Sequence, residues 1–138
     1  MDYAELFRVE NAPSVIDVLS IDVDDACYET LKAVPFGDFE YKIVMVEHDF
    51  YRTPNLRDSE REHLRARGYE LICSDVIHEP GRPFEDWWLK VEHFDKALIS
   101  RIRSANELDI EIIRKFGHKN AIIRSHGFNG SYPQIETA

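Results

Sequence analysis

The chain has 138 residues, 43% of them apolar, which suits one domain with a buried core and no need of disulfides. Its 26 acidic and 17 basic residues give a net charge of -9, which argues against a nucleic-acid backbone as the main partner, because that contact needs a positive surface. The first five residues lack the positive flank and apolar run of a signal peptide, and no stretch is long enough to span a bilayer, so the expectation is a cytoplasmic protein with no membrane partner.

In chain order, the branched apolar run Val15–Ile21 follows Pro13 and predicts a strand with much of its length buried. Cys27, Leu31 and Val34 then recur at helical spacing, so a helix over residues 27–34 can lay one face on a sheet before Pro35 stops it. Tyr41–Val46 reads as a second strand, the polar run from Asp58 to Arg67 as a surface helix, Gly68 as its left-handed cap, and Tyr69–Cys73 as a third strand. Strand, helix, strand, helix, strand is the order of an α/β protein with a mainly parallel sheet.

Beyond it, Glu79–Pro83 is a turn, and Phe84–Val91 predicts a returning antiparallel strand at the sheet edge. Trp87 and Trp88, adjacent in a strand, face opposite sides. A C-terminal helix pair follows: Phe94, Leu98 and Ile102 repeat every four residues, Ser104 and Glu107 form a capping box, and Leu108, Ile112, Ile113 and Phe116 mark a second helix. Residues 120–124 read as a short strand. The expected organisation is one domain, with a core over 12–91, a helical extension over 92–117 and a tail over 118–138. Cys27 and Cys73 sit among apolar residues without metal-ligand spacing, so both read as packed, reduced thiols.

In an open parallel sheet, ligands gather at the carboxyl ends of the strands. Asp22, Asp24 and Asp25 stand at the end of the first predicted strand, and Glu47, His48 and Asp49 at the end of the second. Asp22 and Asp24 share a side-chain direction if the chain stays extended, and together suit a divalent metal or a general base. The plainer reading is that Asp24 or Asp25 caps the next helix. His48, between two carboxylates, suits proton transfer near neutral pH. No glycine-rich turn of the GxGxxG kind occurs, so the sequence identifies no cofactor-binding residue.

The run Ile16-Asp17-Val18-Leu19-Ser20-Ile21-Asp22-Val23-Asp24, followed by Tyr28-Glu29-Thr30-Leu31-Lys32, resembles the strand-to-helix motif of FkbM-type S-adenosylmethionine-dependent methyltransferases. Val44–Asp49 is similar to that family's V-x-x-E-H-N segment, and Gly68-Tyr69 with Glu85–Trp88 to its terminal strands; the resemblance covers about residues 12–91. It implies a truncated Rossmann-like methyltransferase sheet, mainly parallel with an antiparallel edge. It also implies S-adenosylmethionine as cofactor, with Asp22, Asp24, Glu47 and His48 on the catalytic side of an O-methyltransferase acting on a sugar or other small metabolite. Asp25 stands where the family has glycine, Cys27 where it has an acid, and the family's glycine loop has no counterpart. The chain is therefore expected to lack a complete S-adenosylmethionine site of its own and to need a homodimer partner or a complementary methyltransferase half. The alternatives are a non-catalytic binding or assembly module and a metal-assisted hydrolase.

Overall fold

A computed structural model describes residues 2–79 and 82–104. Helix α1 (Tyr3–Val9), which the sequence reading does not anticipate, is capped by Asp2, whose carboxylate accepts from the Glu5 amide at 2.8 Å. Phe7 on this helix packs edge-on against Phe39, which ties α1 to the body of the protein.

Strands β1 (Val15–Ile21) and β2 (Glu40–Glu47) pair in parallel. The chain returns between them through a 3-10 turn over Asp24–Ala26 and helix α2 (Cys27–Ala33), as a parallel pair requires. Helix α3 (Pro54–Arg65) begins four residues before the predicted Asp58, because Pro54 occupies the first turn, where its missing amide costs nothing. Gly68, at φ 77°, turns the chain out of this helix, and the Lys90 ammonium closes the turn by donating to the Arg67 carbonyl at 2.8 Å.

Strands β3 (Glu70–Glu79) and β4 (Arg82–Leu89) form an antiparallel pair, and β4 also lies antiparallel to β2, giving the order β1-β2-β4-β3. The expected mainly parallel, Rossmann-like methyltransferase sheet with an antiparallel edge is thereby corrected. Among the described residues the sheet is mixed, with one parallel and two antiparallel pairings, and the returning strand lies inside it. The physical reason is visible in β4. A short connection keeps it beside β3, and both of its faces are apolar: Trp88 is 1% exposed in one core cluster, while Trp87 packs against the other. A strand covered on both faces belongs in the sheet interior.

The same alternation runs along β2, where Val44 and Val46 enter the first cluster with Leu31, Leu64 and Trp88, and Ile43 faces the second. Residues 96–104 form helix α4, whose Ile99 and Ile102 pack on Ile72, Cys73, Val76 and Leu89. The expected capping box at Ser104–Glu107, the second helix of the pair and the strand over 120–124 reach beyond the described residues. Among the described residues, no helix is long and apolar enough to cross a membrane.

Candidate functional site: two carboxylate clusters at one strand end

Three consecutive residues at the end of β2 separate two groups of acids. Pleating sends successive side chains to opposite sides, so His48 is directed away from its neighbour Glu47. Left-handed backbone at Asp49, with φ 42°, then turns the chain into the loop that leads to α3. His48 and Asp49 both donate their amides to the Phe84 carbonyl, at 2.6 and 3.1 Å, which fixes this strand end against β4.

On one side, His48 joins Asp75 of β3 and Asp86 of β4, with ligand-capable atoms of all three within 4.8 Å of one another. Asp75 sits at an irregularity of the β3–β4 register, with φ 54°, and its amide donates to Asp86 Oδ1 at 2.8 Å. Arg57 and Arg61, four residues apart on α3, present their guanidinium groups to this pair of acids. Arg61 grips Asp86 with two bonds of 2.7 and 2.9 Å and reaches Asp75 at 3.0 Å; Arg57 donates to Asp75 at 2.8 Å.

Burial alone would push the Asp86 carboxyl up, but the adjacent His48 ring and the hydrogen bonds from Arg61 and the Asp75 amide hold it down at about 2. His48 is 2% exposed, and its Nδ1 accepts from the Phe50 amide at 3.1 Å. A neutral ring that accepts at Nδ1 carries its proton on Nε2. That nitrogen lies 3.4 Å from Asp86 and 3.7 Å from Asp75 and, among the described residues, makes no hydrogen bond. The cluster has its own cations, and its imidazole has no lone pair left for a metal.

Glu60 adds a further buried acid beside this network. It is 3% exposed, its Oε1 has no hydrogen-bond partner, and burial together with the charge of Asp86 raises its carboxyl to about 7. It is therefore neutral through the acid range.

On the other side, Asp24, Glu47 and Asp49 bring their oxygens within 4.8 Å of one another. Asp24 is carried by the 3-10 turn after β1 with φ 50°, Glu47 is the last residue of β2, and Asp49 is 4% exposed. Asp49 Oδ2 accepts from Arg52 at 2.9 Å, whereas its Oδ1 is buried with no hydrogen-bond partner. Burial, followed by the neighbouring Asp22 and Asp49 carboxylates, raises Glu47 to about 7. The Cys27 thiol lies 3.8 Å from Glu47 Oε2, and burial with the surrounding negative charge pushes it up to about 12. Both cysteines are buried, and Cys27 is held as a thiol rather than a nucleophilic thiolate.

Of the four residues expected from sequence to carry chemistry, Asp24 and Glu47 meet in the open cluster and Asp22 stands beside Glu47, while His48 is directed into the closed one. The expected metal pair of Asp22 and Asp24 becomes a trio in which Glu47 and Asp49 accompany Asp24. Asp75, Asp86, Arg57 and Arg61 were not anticipated. Their signal lay in the acids of two otherwise apolar strands, which burial obliges to find partners, and in the i, i+4 arginines of the helix between.

No family model, no curated protein and no solved structure matches the chain. The expectation of an FkbM-like, S-adenosylmethionine-dependent methyltransferase is corrected accordingly. It presupposed a mainly parallel Rossmann-like sheet, whereas most of the strand pairings are antiparallel, and no family model supports it. Both acid clusters have the ligand spacing for a divalent cation, and the chemistry of their donors separates them.

Proposed function

We propose that this chain is a non-catalytic binding module whose ligand is a divalent cation, held by Asp24, Glu47 and Asp49. The observation that carries the reading is that Asp49, 4% exposed and carrying an oxygen with no hydrogen-bond partner among the described residues, converges on Asp24 and Glu47. Such an oxygen is costly to bury unless something positive meets it. Hard oxygen donors of this kind suit Mg²⁺, Mn²⁺ or Ca²⁺, which complete their coordination with water and backbone carbonyls. The closed cluster fits less well, because an ion there would have to expel two arginines and find a lone pair that His48 has already committed.

Thermal unfolding and titration calorimetry with Mn²⁺, Mg²⁺ and Ca²⁺ test the proposal. A cation present at a hundred times its dissociation constant stabilises the folded state by about 2.7 kcal/mol, which is a clear rise in melting temperature. The rise is expected for the unaltered chain, and it should vanish in both Asp49→Asn and the exposed Asp24→Asn. No shift with any of the three ions at millimolar concentration refutes the reading. So does a shift that survives both substitutions.

A further inference from the structure

Arg52 lies on the loop between β2 and α3, and its guanidinium stands among the acids proposed to bind the cation. Its Nη1 is 2.9 Å from Asp49 Oδ2 and 3.7 Å from Asp24 Oδ1, and its Nη2 is 3.3 Å from Asp25 Oδ1. Two of the three residues of the open cluster are thus already in contact with a positive group. The Arg52 side chain is 44% exposed, unlike Arg57 and Arg61 of the closed cluster at 18% and 14%, so it can leave without opening the core.

We infer that Arg52 is a built-in counter-cation that occupies the open cluster and competes with the divalent ion for Asp24 and Asp49. The inference rests on the cation-binding reading above. Three features carry it. The guanidinium uses only one oxygen of Asp49, so Oδ1 is left for an ion that arrives past the exposed Asp24. Coordinating Asp24 as well sets the ion beside the guanidinium that contacts the same carboxylate, and two positive charges that close repel each other even at a partly exposed site. Asp25 does not belong to the ligand trio, so it offers Arg52 a partner to keep when it withdraws.

The consequence is a site tuned for moderate affinity, in which binding the ion releases a positively charged side chain to the surface. Asp24 and Asp49 keep a positive partner when no ion is present. Arginine suits this role because its fork can span Asp49 and Asp25 together and it stays charged at every working pH.

The test is Mn²⁺ titration, followed by calorimetry and by the loss of the free-ion paramagnetic resonance signal, on the unaltered chain, Arg52→Gln and Arg52→Lys. Arg52→Gln removes the competing charge and is expected to bind Mn²⁺ about tenfold more tightly, with Arg52→Lys falling between. A gain in affinity separates this role from a merely structural one, since damage to the loop would weaken binding. Ion-free melts of each variant establish that the chain is folded. Equal or weaker binding by folded Arg52→Gln, with the unaltered chain still binding, overturns the inference and leaves the cation site standing. Binding by Arg52→Gln alone supports both. No binding by any of the three proteins refutes both.

Discussion

The two clusters at the end of β2 each bring two or more carboxylates together and share a segment of chain, yet one is closed and the other open. At His48, Asp75 and Asp86 the negative charge is met by two arginines from α3, and the imidazole Nε2 lies 3.4 Å from Asp86. At Asp24, Glu47 and Asp49 a half-exposed arginine reaches two of the three acids and leaves a buried oxygen unmatched. A group of carboxylates therefore becomes structural or receptive according to how many fixed cations the fold brings to it. The closed cluster joins β3 and β4 to α3, whereas the open one lies where the turns after β1 and β2 meet.

The sharpest way to break this comparison is Asp86→Ala. It leaves Arg61 buried without its bidentate partner and deprives the Asp75 amide of its acceptor, so a loss of about 3–5 kcal/mol is expected in urea unfolding. Adding Arg61→Met should recover part of that loss, because the uncompensated charge goes with it. If Asp86→Ala instead left stability unchanged and abolished cation binding, the roles of the two clusters would have to be exchanged.

Glu60 offers a second test, in the opposite direction. Its folded carboxyl titrates at about 7 against an ordinary value of 4.5, so the folded state holds a proton that the unfolded chain has released. The associated stability is complete below the ordinary value and is lost as the pH rises through 7. Glu60→Gln, which keeps the shape of the neutral acid, should leave unfolding at pH 4 unchanged and stabilise the chain at pH 8 by roughly 2–3 kcal/mol. Equal effects at the two pH values would mean that Glu60 titrates alike in the folded and unfolded chain, with Arg61 offsetting its burial.

Much of this architecture is legible in the residues, for reasons that also explain what is not. Val15–Ile21 is a strand by its branched apolar run and is found over that range, though at the sheet edge with only Ile21 buried rather than buried along much of its length, and the acids after it and at Glu47 mark the strand ends that meet. Strand order is harder, since it depends on which faces are covered: Trp87 and Trp88 on opposite sides were the clue to an interior β4, though read alone they suit an edge as well. His48 between Glu47 and Asp49 looks like part of one acidic rim. Its partners are Asp75 and Asp86, far along the chain and brought close by the β3–β4 pairing, so no local spacing announces them. Arg52 stands next to nothing acidic in sequence except by way of the turn that folds it back on Asp49.

The smallest expected effect separates the clusters most cleanly. Glu47 titrates at about 7 in the fold because it is partly buried beside Asp22 and Asp49, so in cation-free protein above that pH its charge opposes folding. Its partial exposure lets solvent screen the repulsion, and Glu47→Gln should therefore stabilise the cation-free chain at pH 8 by about 1 kcal/mol. At pH 4, where both side chains are neutral, the two proteins should unfold alike. The same substitution withdraws a ligand and should remove the Mn²⁺-induced rise in melting temperature. Deleting Asp86 from the closed cluster costs stability, whereas deleting Glu47 from the open one gains stability and costs binding, which is the pattern of an acid held under electrostatic strain for a ligand. A loss of stability in cation-free Glu47→Gln at pH 8 would show instead that this carboxylate is compensated as its counterparts on the other side are, and would remove the distinction.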